Sequence, residues 1–108
     1  MKKYLVLYRS SISAKEQMMG MTAEQRNASM GQWMNWAKTT GAALADMGSP
    51  LGDSALVNGT AGQGYIGGYS FLQADSLDAA KKLVDAHPHL NMPGASIELL
   101  EVMPMPGR

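Results

Sequence analysis

The chain has 108 residues, no cysteine, 12 glycines and 10 methionines, and its nine basic and nine acidic residues give a formal net charge of +0. This length fits one domain, residues 1–108, with enough chain to bury a core unaided. Absent cysteine excludes disulfides, thiolate metal sites and cysteine nucleophiles, and the balanced charge argues against nucleic acid or an anionic membrane as partner.

The apolar run Tyr4–Tyr8 after Lys2-Lys3 is shorter than the roughly 7–15 residues of a secretory segment, and no stretch approaches the roughly 20 of a membrane span. The expectation is a soluble, cytoplasmic protein. The run lies within a predicted first strand, Lys3–Arg9, rich in Tyr, Leu and Val. Its faces, Leu5/Leu7 and Tyr4/Val6/Tyr8, are both apolar, so both are expected to be covered.

Ser10–Met21 reads as a loop or a loose helical turn. Thr22 and Gln25 then form a Thr-x-x-Gln capping box. Met30, Trp33, Met34 and Ala37 recur at i, i+3, i+4, i+7 and predict the buried stripe of a helix ending at Gly41. Trp36 falls on the flank of that stripe. Ala43–Met47 predicts a second strand, broken by Gly48–Gly52, with Ser54–Val57 a short third. Asn58–Gly64 is a turn-rich loop.

Tyr65–Ala74 predicts a long strand with Tyr65, Gly67, Tyr69 and Phe71 on one face and Ile66, Gly68, Ser70, Leu72 and Ala74 on the other. Gly67-Gly68 in mid-strand predicts a bulge or a close approach. Ser76 caps a second helix, Leu77–His87, whose buried face is Ala80, Leu83, Val84 and His87 and which Pro88 ends. Ser96–Met103 is the last strand.

This order is α+β: a ferredoxin-like βαββαβ pattern, with an antiparallel sheet carrying two helices on one face. The second sheet face would then be bare in a monomer, yet the first, long and last strands carry apolar residues on both faces. The expectation is a homodimer, with higher oligomers open, in which two sheets pack face to face as a dimeric α/β barrel. The alternative is one ordinary core with scattered exposed aliphatics.

Three segments carry a resemblance. Gly68-Tyr69-Ser70-Phe71-Leu72-Gln73-Ala74-Asp75-Ser76-Leu77-Asp78-Ala79-Ala80, Ala86-His87-Pro88-His89 and Ser96-Ile97-Glu98-Leu99-Leu100-Glu101-Val102-Met103-Pro104 resemble, in order and spacing, the YCII-related proteins. Gly48-Ser49-Pro50-Leu51 stands where that family has a Gly-Pro turn. The resemblance implies a ferredoxin-like fold and a dimeric α/β barrel. The chemistry suggested for the family rests on a His–Asp pair with the histidine in the first helix. That position falls at or near Met30, and this first helix has no histidine. The family's Asp-Gly-Pro-Phe motif is also absent, so the resemblance carries the fold and the oligomer but no catalytic pair.

Few residues remain for chemistry. His87 and His89 flank Pro88, and histidine is the natural proton-transfer group near neutral pH. Asp46, Asp53 or Asp85 could supply a carboxylate, and the candidate catalytic pair is His87 with Asp46. The competing reading of His87 is a core histidine at a helix C-terminus. A His-x-His pair falls short of the three protein ligands usual for zinc, so no metal is expected.

Tyr8, Arg9, Trp36, Tyr69 and His89 are the ligand-binding candidates: aromatic walls with polar tips, and a guanidinium suited to a carboxylate. The competing reading is an aromatic core with a solvated arginine. Gly62-x-Gly64 and Gly67-Gly68 form no dinucleotide fingerprint, because strand follows them. Methionines 18, 19, 21, 30 and 34 fit core filling or an adaptable surface.

Three functions are compatible with this reading. The first is binding of a small organic molecule between sheet and helices of a homodimer. The second is a cofactor-free enzyme using His/Asp acid–base chemistry. The third is a non-catalytic oligomeric accessory protein.

Overall fold

A computed structural model describes residues 1–60, 62 and 64–106. Its strands are β1 (Lys2–Ser10), β2 (Leu44–Pro50), β3 (Tyr65–Ala74) and β4 (Ser96–Glu101), and its helices are α1 (Ala14–Met19), α2 (Ala23–Thr40) and α3 (Leu77–Val84). Single 3-10 turns, Gly41–Ala43 and Pro88–Asn91, follow α2 and α3. The strands form one antiparallel sheet in the order β2-β3-β1-β4. This is the α+β, ferredoxin-like βαββαβ arrangement, in which each main helix carries the chain past a strand inserted between the two it links. No helix among the described residues is long and apolar enough to cross a membrane.

The capping box predicts the start of α2: Thr22 Oγ1 accepts from Gln25 N–H at 3.1 Å while Gln25 Oε1 accepts from Thr22 N–H at 2.9 Å. The buried face of α2 differs from the predicted one. Met30 and Met34 are 61% and 52% exposed, whereas Trp36 is buried and Trp33 and Ala37 pack against the core. Trp33, Trp36, Ala37 and Thr40 satisfy i, i+3, i+4, i+7 as well as the methionine stripe does, and the two indoles offer more apolar surface to bury.

Ser10–Met21 contains the short helix α1, which Ser13 caps through its hydroxyl. The predicted break at Gly48 does not end β2. A Cβ on Gly48 would collide with the Tyr69 carbonyl, and its φ of 75° suits glycine, so the strand passes tightly over β3 and continues to Pro50. The predicted third strand, Ser54–Val57, is exposed loop. Within the predicted loop Asn58–Gly64, Ala61 and Gln63 lie outside the described residues.

β3 spans the predicted residues, and its glycines make the bulge. Tyr8 pairs with Gly68 and Arg9 with Ile66, leaving Gly67 without a partner in the register. α3 stops at Val84, short of the predicted His87, and β4 stops at Glu101.

The core lies between the sheet and the helices. Tyr4, Val6 and Tyr8 of β1, Leu72 and Ala74 of β3, Trp36 of α2, and Ala80 and Val84 of α3 form it. The opposite sheet face carries Leu5, Leu7, Tyr69, Phe71 and Leu100, matched across the strands as Leu5 with Phe71 and Leu100, and Leu7 with Tyr69. Among the described residues, that face leaves Leu5, Leu7, Tyr69 and Phe71 partly exposed and Leu100 40% exposed. A folded monomer of this mass exposes about 5,800 Å²; the chain exposes 7746 Å². Its radius of gyration, 14.8 Å, also exceeds the roughly 13 Å of a compact chain this long. The N-terminal half of α2 and the loop 51–60 are exposed, and the partly exposed bare sheet face adds to them.

Candidate functional site

The two histidines lie in a buried cluster of rings. Tyr8 enters from β1, Trp33 and Trp36 from α2, and His87 and His89 from the segment after α3. The His87 ring centroid lies 4.9 Å from Tyr8, 4.4 Å from Trp33 and 4.3 Å from Trp36, and His89 lies 5.4 Å from Tyr8. Trp36 is fixed by its indole N–H, which donates to the Leu83 carbonyl at 2.9 Å and ties α2 to α3.

Four polar tips in this cluster are engaged: the Tyr8 hydroxyl, Trp36 Nε1, His87 Nδ1 and His89 Nε2. His87 Nδ1 accepts from the His89 backbone N–H at 2.9 Å and so caps the turn Pro88–Asn91. The proton of the neutral His87 ring must therefore sit on Nε2. His89 Nε2 donates to the carbonyls of Arg9 and Ser96, at 2.9 and 3.2 Å, pinning the same turn to β1 and to the start of β4. Ser70 Oγ donates to Met47 O at 2.7 Å, so the Tyr8 hydroxyl donates to Ser70 Oγ at 2.9 Å.

Among the described residues, two buried side-chain atoms have no hydrogen-bond partner, His87 Nε2 and the Tyr4 hydroxyl. Burial, reinforced by the neighbouring His89, lowers the pKa of His87 to about 4, so the ring is neutral near pH 7. Burial raises the Tyr8 phenol, with the Ser70 bond offsetting part of the effect.

The predicted pair of His87 with Asp46 does not form. His87, only 1% exposed, lies under the helices. Asp46 is exposed on β2 opposite Phe71, and its carboxylate accepts from Gly48 N–H at 2.8 Å. Among the described residues no carboxylate hydrogen-bonds or ion-pairs with either histidine.

The predicted ligand-binding set is likewise divided by the sheet. Tyr8, Trp36 and His89 belong to the core side. Arg9 and Tyr69 belong to the bare face, where Arg9 Nη1 pairs with Glu98 Oε1 at 3.1 Å and Tyr69 packs on Phe71. Side-chain alternation along β1 and β3 forces this split, since Tyr8 and Arg9 are neighbours and point to opposite faces. Among the described residues no group of three or more His, Cys, Asp or Glu could hold a metal ion.

Sequence reasoning missed the partners of these residues, Ser70 for Tyr8 and Glu98 for Arg9. A hydroxyl alone on the apolar side of β3 was the available signal for Ser70. Two open grooves lie away from the rings. One, of about 480 Å³, runs between α3 and β4 over Val84, Leu90, Ile97 and Leu99; the other, of about 510 Å³, lies between α1 and Pro50–Asp53. No family model matches the chain, and no curated protein matches it.

Proposed function

We propose that the protein is a non-catalytic assembly module: a YCII-like homodimer in which two copies close their bare sheet faces against each other as a dimeric α/β barrel. The observation that carries this reading is the face built from Leu5, Leu7, Tyr69, Phe71 and Leu100. An apolar layer across three adjacent strands is costly to leave in water, and two-fold symmetry lets one surface serve as its own partner. One pair of charges, Arg9 with Glu98, borders it, while Lys3 Nζ lies 4.5 Å from the Phe71 ring centroid. This is the apolar centre and polar rim expected of a protein interface.

Small-molecule binding is the second reading. Its support is the pair of unpartnered buried atoms, His87 Nε2 and the Tyr4 hydroxyl, in an aromatic core. The ring packing makes a ligand there compete with Trp33 and Trp36, which places this reading second.

Light scattering on a sizing column, repeated with Leu7→Lys, tests the dimer. Wild type should run near twice 11.5 kDa and the variant near 11.5 kDa. A wild type that stays monomeric at high micromolar concentration overturns the proposal. Thermal shift against small organic acids and aromatics tests the second reading, because a ligand that binds only the folded chain raises its midpoint.

A further inference from the structure

We infer that the turn Pro88–Asn91 is an acid-released clip: neutral His87 holds it in place, and protonation of that ring detaches it from the sheet. The inference concerns the single chain and does not depend on the dimer.

The two histidines of the clip respond differently to a proton. His89 acts only as a donor in the bonds described, from Nε2 to the Arg9 and Ser96 carbonyls. An imidazolium can make those same two bonds. His87 acts as an acceptor, since its Nδ1 takes the His89 backbone N–H at 2.9 Å. A protonated ring has a hydrogen on both nitrogens, so Nδ1–H would face N–H and the cap would be lost. Pro88 at the first position of the turn has no N–H, which makes the His89 N–H the first donor that needs capping.

The surroundings of His87 offer a cation little compensation. β1 presents the Tyr8 phenol, α2 presents the Trp33 and Trp36 rings, and the turn itself presents His89. The Arg9 guanidinium is on the other side of the sheet, paired with Glu98. Among the described residues no carboxylate pairs with the ring, and it has almost no contact with water. The cost of charging it can be relieved by the turn swinging outward. That movement breaks the cap and both bonds of His89, the side-chain links between this turn and the strands β1 and β4.

Amide hydrogen exchange read by NMR, from about pH 7 down to about pH 4.5, tests the clip. Protection of the His89 and Leu90 amides, corrected for intrinsic exchange chemistry, should fall about tenfold per pH unit below about pH 6, as release coupled to uptake of one proton requires. Core amides such as Val6 and Leu72 should stay better protected than the turn at every pH, because they open only by unfolding of the whole chain. In His87→Asn a side-chain oxygen replaces Nδ1 as acceptor and cannot titrate, so protection should stay flat. Flat protection in wild type, the same fall in the variant, or turn amides no less protected than the core at every pH would each overturn the inference. If the variant does not fold, the ring nitrogens of wild-type His87 decide. The Nε2–H tautomer at pH 7, titrating together with the loss of turn protection, supports the clip; an Nδ1–H tautomer refutes it.

Discussion

The two faces of β1 use nearly the same residue types to different ends. Tyr4, Val6 and Tyr8 point to the helices and are buried, whereas Leu5 and Leu7, one residue along in each case, are only half-covered by Phe71, Tyr69 and Leu100. Helices close the first face, and a second copy is proposed to close the other. The difference shows that an apolar face marks where covering is needed, while the covering element is set by the rest of the chain. It also separates two kinds of stability, one intrinsic to the monomer and one dependent on concentration.

Trp36→Ala should break the covered face most severely. The indole is buried and carries the only side-chain hydrogen bond described between α2 and α3. Its loss leaves a cavity and a carbonyl without its donor, and should cost about 3–5 kcal/mol in denaturant unfolding at pH 7.

Acid should weaken the same face next. His87 has a folded value of about 4 against an ordinary 6.5, so the unfolded chain takes up a proton first as pH falls. The stabilisation is complete above about pH 6.5 and is lost between there and about pH 4, by at most about 3 kcal/mol. The check is the unfolding free energy at several pH values relative to His87→Asn, in which this component should be missing.

Leu7→Ala tests the bare face. In dilute monomer it should cost only about 1 kcal/mol, since the side chain is already half in water. At concentrations that favour association the loss should grow, so the midpoint of wild type should rise with concentration more steeply than that of the variant. Equal slopes would remove the contrast between the faces.

Tyr4→Phe should have the smallest effect and the opposite sign. Its hydroxyl is buried without a partner, so removing it should leave the melting temperature unchanged or raise it by the equivalent of up to about 1 kcal/mol.

Local signals made much of the fold legible. The Thr22–Gln25 box, Ser76 as a cap and the glycine pair in β3 act through bonds and torsions within a few residues, and each appears where expected. The candidate site was much less legible. Its residues were recognised singly, but their grouping depends on the side of the sheet each one takes and on contacts far apart in sequence, such as Tyr8 with Ser70. The face of α2 shows why. Two stripes in one helix met the same spacing rule, and only the sheet beneath could select Trp33, Trp36 and Ala37 over the methionines.

The sequence alone determined a neutral, cysteine-free α+β chain and the alternation that leaves two apolar faces on β1, because composition, capping and a period of two are written in neighbouring residues. Tertiary structure decided that His87 is a neutral ring capping a turn, that Asp46 lies across the sheet from it, and that Arg9 answers Glu98. Those outcomes depend on burial and on partners brought together from distant parts of the chain, which no local pattern encodes.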